Sequence, residues 1–172
     1  MKYYIIIALL ILSFNINAQS NLEWMEKNLS VITFLNGDSI QHVTNDEDWE
    51  KAGNDKTPAW TFQTVNDSVQ TIVYNYYAVV DPRGLAPEGW RIPTIKELEL
   101  LTIDVMGQSI CSSKNFGGTF SNSGLMIGFW SLTPYNDSFA YFLQYTEWKN
   151  EEFESDWALK GLGFSVRCVK SK

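Results

Sequence analysis

The chain has 172 residues, of which 13 are basic and 20 acidic, giving a net charge of −7. Phosphate backbones repel so acidic a chain, which excludes nucleic acid as an expected partner. One histidine and two distant cysteines do not supply a zinc site or a nucleophile beside a base, so no catalytic apparatus is expected.

Lys2 is followed by an apolar run from Tyr3 to Phe14, a polar stretch from Asn15 to Asn17, and Ala18 before Gln19. A charged start, an apolar middle and a small residue at the cut form the layout of a secretory signal peptide. The apolar run is well short of the roughly 20 residues that cross a bilayer. Residues 1–18 are therefore expected to be the signal peptide and residues 19–172 a single domain. No cysteine stands near the cut to take a lipid, so the cleaved chain is expected off the membrane: secreted, at the cell surface or in the periplasm. Cleavage removes Lys2 and no acid, leaving 12 basic residues against 20 acidic, a net charge of −8.

Leu22 to Phe34 reads as extended, with Trp24, Leu29, Val31 and Phe34 as apolar anchors, and ends at the turn Asn36-Gly37-Asp38. Acids at Asp46, Glu47 and Asp48 open a short helix that turns Trp49 and Ala52 inward. Thr57 to Val65 alternates as a strand with Trp60 and Phe62 on one face. Val73 to Val80 is apolar on all sides and belongs to the core, as helix or as strand. After turns at Asp81-Pro82-Arg83-Gly84 and Pro87-Glu88-Gly89-Trp90, Thr94 and Glu97 form a capping box. Ile95, Leu98, Leu101 and Val105 then share one helix face, predicting a helix from Ile95 to Met106 that stops at Gly107.

Cys111 and Cys168 are an even pair, which in an oxidising compartment reads as a disulfide; two buried thiols are the alternative. Glycines at 117, 118 and 124 mark a loop-rich stretch. Strands are predicted at Leu125–Trp130, Phe139–Tyr145 and Gly163–Val169. Helices early and strands late give an α+β domain with two or three short helices and a mostly antiparallel sheet.

Five blocks carry a family resemblance. They are Trp24-Met25-Glu26-Lys27-Asn28-Leu29, Tyr74 to Val79, Pro87-Glu88-Gly89-Trp90-Arg91-Ile92-Pro93-Thr94 with Glu97, Phe129-Trp130-Ser131 with Thr133, and Gly163 to Val169. In this order they resemble the Fibrobacter succinogenes major paralogous (FISUMP) domain. The resemblance implies a secreted or cell-envelope protein of Fibrobacter- or Bacteroidota-type bacteria, with a fold similar to the C-type-lectin and formylglycine-generating-enzyme class. It also implies that Trp24, Trp90 and Trp130 are core residues. Ala86 stands where members commonly carry a cysteine, so Cys111 would replace that residue as the partner of Cys168. The stretch that members carry before the aromatic-Trp-Ser block is absent or shortened here. The reactive cysteine pair of formylglycine-generating enzymes has no good counterpart, and that activity is not expected to come with the fold.

His42, beside a turn, reads as a surface residue, and no Gly-x-Ser-x-Gly elbow or glycine-rich phosphate loop occurs. Acids cluster at Glu147, Glu151, Glu152, Glu154 and Asp156, between Trp148 and Trp157. They read as a solvated loop, with a Ca²⁺ site of carboxylate oxygens as the sharper alternative and no cofactor otherwise expected. In lectin-like folds long loops project from one end of the sheet, which points to Leu132–Ser138 and Glu147–Leu159 as the ligand-binding loops. Their candidate contacts are Tyr135, Asn136, Asp137, Trp148, Glu151, Glu154 and Trp157, flat rings beside acids and an amide; solvated connectors are the competing account. The expected function is a non-catalytic recognition or adhesion module whose partner is an extracellular glycan or surface protein. A structural envelope protein without a small ligand is the alternative, and a carbohydrate-active hydrolase ranks third. The intact mass of the exported protein is expected to begin at Gln19; a mass that retains residues 1–18 contradicts the signal-peptide reading.

Overall fold

The computed structural model describes residues 22–65, 69–101, 113–114, 126–146 and 153–171. The chain enters through β1 (Leu22–Trp24), and runs irregularly to β2 (Gln41–His42) and helix α1 (Asp46–Asn54). Strands β3 (Ala59–Val65) and β4 (Val69–Asn75) lead into the short helix α2 (Tyr76–Val79). Helix α3 (Ile95–Leu98) and β5 (Ser113–Lys114) precede a meander of β6 (Met126–Pro134), β7 (Phe139–Thr146) and β8 (Phe153–Leu159). The chain closes with β9 (Gly163–Phe164) and β10 (Val169–Ser171). The strands form a pair β1-β10, a five-stranded sheet β2-β3-β4-β9-β5 and a three-stranded sheet β6-β7-β8. Among the described residues these strands pair antiparallel except β2 with β3, and a single parallel bridge joins Phe129 to Ser165. This is the α+β class expected, with short helices and mostly antiparallel sheets.

Local chemistry sets several elements. The Asn36 side chain accepts from the Asp38 N–H at 3.0 Å, and Gly37 takes φ +92°, a conformation that side chains resist. Asn45 caps α1 by accepting from the Asp48 N–H at 2.8 Å, and Trp49 and Ala52 turn inward as predicted. The apolar run from Val73 is strand up to Asn75 and helix from Tyr76. Asn75 makes the change: its buried Oδ1 accepts from the N–H groups of Ala59 and Ala78, both at 3.1 Å, and its Nδ2 donates to the Thr57 carbonyl at 2.8 Å. One amide therefore holds the edge of β3 and caps α2.

Three apolar clusters follow from the strand alternation. One face of the five-stranded sheet carries Trp60, Ile72, Tyr74 and Phe164, and packs against Trp130, Ala140, Phe142 and Ala158 of the three-stranded sheet. Trp130 is fully buried, and its Nε1 donates to the Tyr74 carbonyl at 2.9 Å, joining the two sheets. A Cβ on Gly128 would drive into the Phe164 ring, which stacks on Phe142. The opposite face of the three-stranded sheet buries Phe129 and Leu143 beneath Ile95, Leu98 and Leu101. A third cluster packs Trp49 and Ala52 of α1 on Ala59 and Val43.

The structure departs from the sequence reading in several places. Within Leu22–Phe34 the paired strand covers Leu22–Trp24; beyond it Leu29 and Phe34 are buried from irregular backbone. Gly163–Val169 is not one strand, because the chain leaves β9 after Phe164 and joins β10 at Val169. The predicted helix Ile95–Met106 is a single turn at Ile95–Leu98. Its capping box is present, and Leu98 and Leu101 are buried, but the Leu100 and Leu101 N–H groups bond back to Glu97 and Leu98. Such three-residue spacing tightens and ends a helix; Val105 and Met106 lie outside the described residues. Leu132–Pro134 belongs to β6, and the segment expected as an acidic loop is strand β8 from Phe153 to Leu159. Pairing with β7 outweighs the low strand propensity of its acids, which an edge position tolerates. Trp24 and Trp90 are half-buried rather than fully enclosed.

Leu98→Ala is expected to cost about 2–5 kcal/mol by emptying a fully enclosed site, and Thr94→Ala about 1 kcal/mol, both read by urea unfolding. Arg91 donates to both Glu97 carboxylate oxygens, at 2.8 and 2.5 Å, and lowers the Glu97 pKa from 4.5 to about 2. A value depressed by folding stabilises fully above the unfolded pKa and is lost as pH falls through the folded one. Glu97→Gln should therefore flatten the stability profile between about pH 4.5 and 2. An unchanged acid profile would show that the pair does not stabilise the fold.

Candidate ligand-binding surface

The β6–β7 hairpin turns at Tyr135–Ser138. Asn136 Oδ1 accepts from the N–H groups of Ser138 and Phe139, both at 2.9 Å, so this side-chain oxygen builds the turn. Lys160, just past β8, donates from Nζ to the carbonyls of Asn136 at 2.7 Å and Asp137 at 3.0 Å. Its backbone N–H donates to the Ser138 carbonyl at 3.0 Å. The hairpin tip is thereby tied to the end of β8.

That tie brings aromatic rings together. Tyr135 stacks on Trp157 with centroids 5.4 Å apart and planes 11° apart. Tyr141 meets the edge of Tyr135 at 5.3 Å, and Phe139 meets Trp157 at 4.9 Å. Tyr141 pairs with Trp157 across the sheet, and Phe139 with Leu159, so these side chains share the face that buries Leu143. Helix α3 covers that face around Leu143 and Phe129, and Ser155 Oγ donates to Glu99 Oε1 at 2.9 Å beside it. Beyond the helix, Tyr135 and Trp157 are each 47% exposed and Leu159 is exposed as well. The result is an aromatic ledge. Aromatic pairs bury their mutual faces and leave a flat outer surface that suits another flat apolar group.

The ledge contains only part of the predicted set. Tyr135 and Trp157 meet as partners, and Asp137 stands exposed at the tip between Tyr135 and Phe139. Asn136 is exposed at the same tip and gives its side-chain oxygen to the turn. Glu154 is exposed but three positions from Trp157 along β8, so the alternation sends it to the opposite face. Trp148, Glu151 and Cys111 lie outside the described residues. Cys168 is buried, and burial pushes its thiol up to about 12. Tyr141 and Phe139 were missed as ledge residues; the apolar alternation of the Phe139–Tyr145 run was their signal.

His42 is exposed, as expected, and lies flat on Trp60 with centroids 4.0 Å apart. Among the described residues, no three His, Cys, Asp or Glu side chains gather where they could hold a metal ion. No helix among them is long and apolar enough to cross a membrane.

Residues 18–110, more than half of the chain, match the profile of the Fibrobacter succinogenes major domain. No curated protein and no solved structure matches.

Proposed function

The chain belongs to the Fibrobacter succinogenes major domain family, and on that premise we propose that it is an exported, non-catalytic recognition or adhesion module that holds a glycan on the Tyr135–Trp157 ledge. The observation that carries this reading is the stacked pair of rings, half exposed on a sheet face that α3 leaves uncovered. A sugar ring has an apolar face that stacks on an aromatic plane and hydroxyls that need acceptors, and Asp137 stands exposed in the same turn as Tyr135 with a carboxylate that accepts. Large exposed aromatics cost solubility, and a recognition role accounts for keeping two of them in register. Export rests on the charged, apolar and small-residue layout of residues 1–18. The C-type-lectin-like arrangement is part of the same proposal, supported by the family and by short helices beside mostly antiparallel sheets.

A glycan array probed with the cleaved protein, with and without added Ca²⁺, tests the reading. Retention is expected in both conditions. Trp157→Ala should reduce it at least tenfold while moving the melting temperature by only a few degrees, because the ring sits half exposed on an edge strand. Equal retention by wild type and Trp157→Ala would remove the ledge as the binding surface. A stable protein that retains no glycan would leave the structural envelope role in its place.

A further inference from the structure

We infer that Asn36-Gly37 is a self-modification site, where an amide becomes a carboxylate without an enzyme, and that the fold slows the conversion through a clamp closed by Asp38. The pair Asn-Gly occurs once in the chain. Asparagine is a heat-labile residue, and a following glycine leaves the attacking backbone nitrogen unshielded by any side chain. Asn36, Gly37 and Asp38 are all exposed, in the turn between the bridged residues Thr33 and Ser39, so water reaches the reacting atoms.

The reaction closes a ring. The Gly37 backbone nitrogen gives its proton to hydroxide and attacks the side-chain carbonyl carbon of Asn36. The new N–C bond replaces the bond from that carbon to Nδ2, which leaves as ammonia with a proton from water. Water then opens the five-membered imide at one of its two carbonyls, giving aspartate or isoaspartate.

Both reacting groups are engaged in the folded turn. The Gly37 N–H donates to the Phe34 carbonyl at 2.9 Å, which holds the proton that the nucleophile must lose. The Asn36 amide is bound to Asp38 at both ends: Oδ1 accepts from the Asp38 N–H and Nδ2 donates to Asp38 Oδ2, each at 3.0 Å. It cannot swing over the Gly37 nitrogen without giving up both bonds. Asp38 is itself held, because Oδ2 also accepts from Arg83 Nη1 at 3.3 Å and its carbonyl accepts from the Phe34 N–H at 2.8 Å. Arg83 in turn lies over the Phe34 ring at 4.0 Å and pairs with Asp81. Ring closure therefore waits for local opening of the turn, and the free energy of that opening sets the rate. The product lacks the Nδ2 donor and places a second carboxylate beside Asp38, so the clamp does not re-form.

The experiment incubates the cleaved protein at physiological temperature and mildly alkaline pH, native and in guanidinium chloride. Peptide mass mapping follows the amide-to-acid mass gain at Asn36. Each hydrogen bond given up is worth about fivefold, so conversion in the native protein is expected at least tenfold slower than in the unfolded chain. Asp38→Ala, its fold checked by circular dichroism, removes the acceptor of Nδ2 and should lower this native-to-unfolded protection about fivefold. Asn36→Gln, whose ring closure is far slower, should abolish the mass gain from this peptide. Equal rates in native and unfolded wild type would overturn the clamp, and this comparison needs no variant. Unchanged protection in folded Asp38→Ala would overturn the role of Asp38. No conversion in guanidinium chloride would remove Asn36 as a modification site.

Discussion

Arg167 is fully buried, and the rest of the fold is arranged so that its charge is never stranded. Its guanidinium donates to Asn28 Oδ1 at 3.0 and 2.8 Å and to the carbonyls of Met25 at 2.8 Å and Glu26 at 3.1 Å. Burying a charge is tolerable only when its donors are satisfied, so the N-terminal segment cannot leave this place without a cost of several kcal/mol. The neighbours of Arg167 repeat the pattern. Leu29 donates to the Val166 carbonyl, Met25 to that of Cys168, Trp130 to that of Ser165, and Arg91 and Val169 exchange a pair of bonds. The last strands thus bind the first segment, the β6 strand and the turn before α3 into one body.

From that body follows the two-sided sheet. Strands β6, β7 and β8 carry one core on the face of Trp130 and Phe142, and a second on the face of Phe129 and Leu143. A single helical turn can cover only part of the second face. Tightened backbone bonds at Leu100 and Leu101 end α3, and the rings of Tyr135, Tyr141 and Trp157 continue the apolar row past it. The exposed ledge is therefore a consequence of helix length: the alternation that supplies Leu143 to the core supplies Tyr141 and Phe139 to the surface.

Strand β8 is the edge of its sheet, and an apolar edge would recruit other chains. Glu154, Ser155 and Asp156 keep this one hydrophilic, and the Asp156 side chain takes the Trp157 N–H, a donor that an incoming strand would need.

Features that depend on neighbours a few positions away were readable from the residues alone. The Asn36 turn, the acid-led start of α1 and the Thr94–Glu97 box were legible because each is set by residues only a few positions apart. Alternation likewise placed Trp60 and Phe62 on one face of β3, where their rings meet edge to face. Tertiary structure alone decided the rest, because the deciding partners are remote in the chain. Asn75 turns strand into helix by bonding to Thr57 and Ala59, 18 and 16 positions away, which no local pattern specifies. An acidic segment became strand β8 because β7 offered it a ladder, and that pairing sent Glu154 away from Trp157. Arg167 finds Asn28 139 positions away. The Tyr135–Trp157 pair exists because Lys160 pins the hairpin tip to the end of β8, and a contact made across a fold is visible only once the fold has formed.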